Sequence, residues 1–157
     1  MSDARFVPFV IAAGASLLAA GCALSQPEQT ADIPCAAAAE AYRVTDDFMT
    51  TFNSKDADVF AGVFHFPHVR IASGRRTILN SAADLEPSFG RLAETGWDRS
   101  AWAERRIIQC GPDKVHMTTT FVRYRADGSE MSRFDSLYII ERINGRWGLS
   151  GRSSFAP

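Results

Sequence analysis

From Pro34 onward the apolar positions follow two periods, one after the other. Ala37, Ala41, Val44, Phe48 and Phe52 recur at steps of three and four, which is one apolar face of a helix. Asn53-Ser54-Lys55 breaks that pattern. Asp56 then caps a second helix, whose apolar pairs are Val59, Phe60, Val63 and Phe64, and Pro67 closes it. His68–Ala72 and Arg76–Leu79 read as strands on either side of a Ser73-Gly74-Arg75 turn. Leu85, Phe89 and Leu92 share a face of a third helix, from about Ala83 to Glu94, with Pro87 confined to its first turn and Gly96 as the stop.

Beyond Ser100 the period changes to that of strands. Ala101–Gln109, Lys114–Arg125, Met131–Arg142 and Arg146–Phe155 are separated by turn residues at Gly111-Pro112-Asp113, Ala126-Asp127-Gly128 and Asn144-Gly145. The order is ααββαββββ. Strands joined by tight turns are antiparallel, and helices gathered on one face of such a sheet give an α+β domain. The expectation is a cone: a strongly bent antiparallel sheet wrapped on a long N-terminal helix, with a cavity at its wide end.

The first residues follow neither period. Phe6–Leu18 is an uncharged apolar run, too short to span a membrane, and small residues follow it up to Ala19-Ala20-Gly21-Cys22. Residues 1–21 therefore read as a signal peptide. The run ending in Cys22 resembles a bacterial lipobox, in which that Cys takes the lipid; plain secretion with cleavage near Ala20 is the alternative. Residues 22–33 read as a lipidated tether and 34–157 as the folded domain. Ala23 follows the Cys and no Asp retention signal is present, so the expected address is a membrane-anchored lipoprotein facing the periplasm. Cys35 and Cys110 remain. In an exported domain they form one bridge or stay as two buried thiols.

A net charge of -1 argues against nucleic acid as a partner. Only Lys55 and Lys114 are lysines, so a basic group reaching a pocket is an arginine, a fixed cation.

Phe52-Asn53-Ser54-Lys55-Asp56, Phe64, Phe134-Asp135 and Asn144-Gly145-Arg146-Trp147, in this element order, resemble the nuclear-transport-factor-2-like superfamily. The likeness is to its SnoaL-like and ketosteroid-isomerase-like members and covers about Pro34 to Phe155. It implies a single ligand pocket, no cofactor and, commonly, a homodimer. It implies no one activity, because the superfamily hosts isomerases, lyases, dehydratases and non-catalytic binders. The place of the isomerase base falls on Ala72, and that of its Tyr donor on Phe48. The place of its second, protonated Asp falls on Asp135.

Strand parity adds to this. If position 72 faces the cavity, so do Arg70 and His68. Arg133 shares the face of Asp135. The candidate chemistry is then His68 as general base, Asp135 as its orienting partner, and Arg70 as a stabiliser of developing negative charge. The structural alternative is a hydrogen-bonded core His beside an Arg70–Asp135 bridge. Phe48, Tyr42, Trp97, Trp102 and Arg133 are the candidate pocket residues. His65 reads as a helix-end cap, His116 as outward-facing, Trp147 as core, and Glu104-Arg105-Arg106 as a solvated patch. No set of metal ligands is visible. Two functions follow: a cofactor-free lyase, isomerase or dehydratase acting on a small, mainly apolar substrate, or a non-catalytic periplasmic ligand-binding or structural module. The membrane is reached only through the lipid.

Overall fold

The computed structural model describes residues 33–72 and 74–157. The signal peptide and Cys22 lie outside the described residues.

α1 (Ala38–Asn53) buries Ala41, Val44, Thr45, Phe48 and Met49, so the predicted apolar face is the buried face. The helix ends where Lys55 turns left-handed, at φ 64. Asp56 accepts from the backbone N–H groups of Asp58 and Val59 and caps α2 (Ala57–Ala61). α2 is one turn shorter than Pro67 would allow. Val63 and Phe64 leave it, and β1 (Phe64–Ala72) begins upstream of the proline. Proline is tolerated there because β1 shifts register against its neighbour between Phe64 and Val69, so Pro67 owes no ladder hydrogen bond.

β2 (Arg75–Leu79) pairs back on β1, and a 3-10 turn at Ala82–Asp84 leads into α3 (Glu86–Glu94). The long strands follow: β3 (Arg99–Cys110), β4 (Lys114–Tyr124), β5 (Glu130–Ile143) and β6 (Arg146–Ser154). Asn144 and Gly145, at φ 51 and 80, form the two-residue turn between β5 and β6.

The architecture is α+β, as expected, with one difference. The six strands run in the order β2-β1-β6-β5-β4-β3, and the β1–β6 pair is parallel, so the sheet is mixed. Chain order alone cannot show this, because the pair joins the first strand to the last.

An aromatic core holds α1 to the sheet. The Phe48 ring lies within about 6 Å of Phe52, Phe60, Phe64, Trp102 and Tyr138. Edge-to-face contacts of this kind add to the burial of large apolar area. A disulfide links Cys35, just ahead of α1, to Cys110 at the end of β3, with Cα atoms 5.6 Å apart and 75 residues between them.

Closing a loop of 75 residues restricts the unfolded chain by about 4 kcal/mol in the chain-entropy description. Cys35→Ser with Cys110→Ser is expected to lose 2–4 kcal/mol, read as a lower urea midpoint with a somewhat steeper slope, because the unlinked chain unfolds further. A double variant as stable as the oxidised parent would remove the disulfide from the account of stability.

Candidate functional site

Between α1, α3 and the concave face of the sheet lies a cavity of about 660 Å³. That is within the ordinary range for small-molecule sites, about 300–1,000 Å³. Phe48, Phe52 and Phe60 line one side, and Leu85 and Leu92 another. His68, Arg70 and Ala72 all line it from β1, where they alternate with the exposed Val69 and Ile71.

His68 is 2% exposed, and its Nδ1 lies 3.2 Å from the Leu149 carbonyl. A carbonyl only accepts, so the proton sits on Nδ1 and Nε2 carries the lone pair. Phe64 meets the ring edge-on at 4.7 Å. Burial, aided by the charges of Arg152 and Arg70, pushes the imidazole down to about 4. His68 is therefore neutral at pH 7.

Asp135 does not join it. On β5 the inward residues are Ser136, Tyr138 and Ile140, and Asp135 falls on the opposite parity. It is exposed and accepts from the Thr120 hydroxyl at 2.7 Å across the outer face. Arg133 shares that face and pairs with Glu130. Neither the His68–Asp135 pairing nor an Arg70–Asp135 bridge is formed. The error was one of parity: the run Leu137-Tyr138-Ile139-Ile140 is apolar on both faces and does not show which one points inward.

Of the aromatic candidates, Phe48 lines the cavity. Trp97 is core, donating to the Ser100 hydroxyl at 3.0 Å and packing on Phe52. Trp102 donates to the Thr45 carbonyl at 3.0 Å. Tyr42 stacks with Arg105, whose guanidinium also pairs with Asp46, so this patch ties α1 to β3. His65 lies in β1, not at a helix end. Its Nε2 donates to the Glu141 carbonyl at 3.1 Å, and its Nδ1 accepts from Arg146 at 3.0 Å. His116 is bonded to Gln109 on the outer face.

Three groups that sequence reading missed complete the interior. Tyr138 is fully buried, and Arg152 approaches its hydroxyl at 3.4 Å. Arg123 points inward from β4, stacked over Phe134 at 5.0 Å. Arg123 was reachable from sequence, because it shares the parity of Met117 and Phe121. Arg152 was not: a register shift between Ile139 and Ile140 lets both Leu149 and Arg152 point inward although they are three apart.

The family described as NTF2-like protein (DUF6841) matches residues 39–154, and the chain belongs to it. No curated protein matches the sequence. Among solved structures, a protein of unknown function with a cystatin-like fold from Nostoc punctiforme is similar at 14% identity, with a TM-score of 0.64, over 79% of this chain and 93% of that one. A ketosteroid isomerase-like protein from Erwinia carotovora is similar at 14% identity and a TM-score of 0.60, over 76% and 95% of the two chains. A protein from Catenulispora acidiphila, solved in complex with S-DNPA, is 16% identical, with a TM-score of 0.61 over 74% of this chain and 90% of that one. At these identities the likeness establishes the fold.

The depressed His68 sets a pH dependence. Its folded value, about 4, lies below the ordinary 6.5, so the unfolded chain binds the proton first. Stability is then complete above about pH 6.5 and falls as the pH drops toward 4, by about 3 kcal/mol in all. His68→Asn, which keeps a donor for Leu149, is expected to flatten that part of the stability–pH curve. An unchanged curve in the variant would assign the acid sensitivity elsewhere.

Proposed function

We propose that this NTF2-like chain is a ligand-binding protein that holds one small organic molecule in the cavity beneath α1. The observation that carries this reading is the cavity itself. It is roomy, walled by Phe48, Phe52, Phe60 and Leu85, and furnished with a few polar groups that include His68 and Tyr138. Apolar walls with a small number of placed polar groups are the ordinary make-up of a small-molecule site.

Catalysis is the second reading, and one observation favours it: with the proton fixed on Nδ1, the Nε2 lone pair of His68 is free to accept a proton. Two observations weigh against it. No carboxylate among the described residues orients His68, and a base held near 4 has little driving force for taking a proton at neutral pH. Binding is therefore the primary reading, and acid–base chemistry requires a ligand that raises His68.

The address belongs to the same proposal. The leader of residues 1–21 and the Cys22 lipobox point to an exported lipoprotein, and the Cys35–Cys110 bridge suits an oxidising compartment. Mass spectrometry of the protein expressed with its leader is expected to find lipid-modified Cys22 at the mature N-terminus. Recovery of the intact chain beginning at Met1 would contradict export.

Binding is testable without knowing the ligand. A neutral solvatochromic dye such as Nile red is expected to brighten on the folded protein. Ala72→Phe, which builds into the cavity from β1, is expected to weaken that response at least tenfold while the fold is kept, as read by circular dichroism. Equal dye response from both proteins would place the dye outside the cavity and overturn the reading.

A further inference from the structure

The chain is slightly acidic, with a net charge of -1, yet its cavity is strongly basic. Arg70, Arg75, Arg91, Arg123 and Arg152 line it, against Asp84 as its one acidic lining residue among those described. Asp84 is already engaged, accepting from the Asn80 backbone N–H at 2.7 Å.

Three of the arginines form the inner group. The parallel register sets Arg70 directly beside Arg152 on adjoining strands, and Arg123 enters from β4. None of the ion pairs among the described residues uses any of the three. No carboxylate side chain of the described residues is among their partners. Arg70 donates to the Pro157 backbone oxygen at 3.0 Å, and Arg152 approaches the Tyr138 hydroxyl at 3.4 Å. Arg123 lies over the Phe121 and Phe134 rings. The Nε atoms of Arg123 and Arg152 are buried without a hydrogen-bond partner.

Half-buried guanidinium groups that join no ion pair are costly, and like charges on adjoining strands add to the cost. The strain shows in their titration. Burial and the neighbouring arginines bring both Arg70 and Arg123 down to about 10. A protein keeps such an arrangement when something outside the chain completes it. Guanidinium forks suit the planar or tetrahedral oxygens of an oxyanion.

We infer that the ligand is amphipathic: an apolar body packed on Phe48, Phe52 and Leu85, and one terminal oxyanion, carboxylate or phosphate, held among Arg70, Arg123 and Arg152. This rests on the binding function proposed above and names its substrate class. It also gives Tyr138 a use, as a hydroxyl beside the anion, and it ties His68 to occupancy. A bound anion offsets the charges of Arg152 and Arg70, the lesser causes of the depressed His68, while burial, the larger cause, remains.

The test compares 1-naphthoate, 1-naphthyl phosphate and the neutral isostere 1-naphthamide on the full chain, by calorimetry at low salt. At least one of the two anions is expected to bind tenfold or more tightly than the amide. Arg123→Met and Arg152→Met are each expected to lose that preference while still binding the amide, and to melt no lower than the parent when empty, because each removes a half-buried charge whose Nε has no hydrogen-bond partner. Should either fail to fold, Arg123→Gln serves in its place, with the same loss of preference expected. Equal affinity for acid and amide would overturn the anion site and leave the binding function standing. No binding of any of the three, together with no dye response, would overturn both. An anion preference that survives in Arg123→Met and Arg152→Met would also overturn the site, since the charge would then be read elsewhere.

Discussion

The parallel pairing of β1 with β6 is the constraint on which the site depends. It joins the first strand of the sheet to the last and brings Phe64 beside Leu149 and Arg70 beside Arg152. The same pairing lets the Leu149 carbonyl accept a hydrogen bond from His68 Nδ1. One long-range contact thus fixes a core pair, a histidine tautomer and a pair of like charges. The first two stabilise the closed sheet. The third opposes it, and the opposition is tolerable only because the arginines face a cavity rather than packed side chains.

The interior therefore serves two purposes that pull apart. At one side Phe48 gathers five aromatic rings and anchors α1. At the other, guanidinium groups lie over rings such as Tyr138 and Phe134 at about 5–6 Å, where the ring faces offer only partial compensation. The aromatic side supplies the fold. On the basic side Arg70, Arg123 and Arg152 join no ion pair among the described residues, and the proposed anion is what would complete it.

Much of the fold was legible in the sequence, because it rests on local rules. The α1 face, the Asp56 cap and the Asn144-Gly145 hairpin each follow from neighbours in the chain, whereas the inward parity of His68, Arg70 and Ala72 came from the resemblance that set position 72 on the cavity face. The site was only half legible. Asp135 was assigned inward through resemblance to the isomerases, but β5 is apolar on both faces around it, and the pleat puts Ser136 and Tyr138 inside instead. Arg152 was hidden by the register shift that breaks the two-residue period of β6. Arg123 was missed although its parity with Phe121 pointed inward, since a charged residue near a strand end ordinarily reads as solvated.

The central claim is that Arg70, Arg123 and Arg152, which join no ion pair among the described residues, take a counter-ion from outside the chain. The most direct measurement is a crystal structure from bromide, with the bromide found by its anomalous scattering. A bromide in contact with Arg123 and Arg152 inside the cavity is the predicted result. The same guanidinium groups paired with a carboxylate of the chain, and no bromide in the cavity, would contradict it.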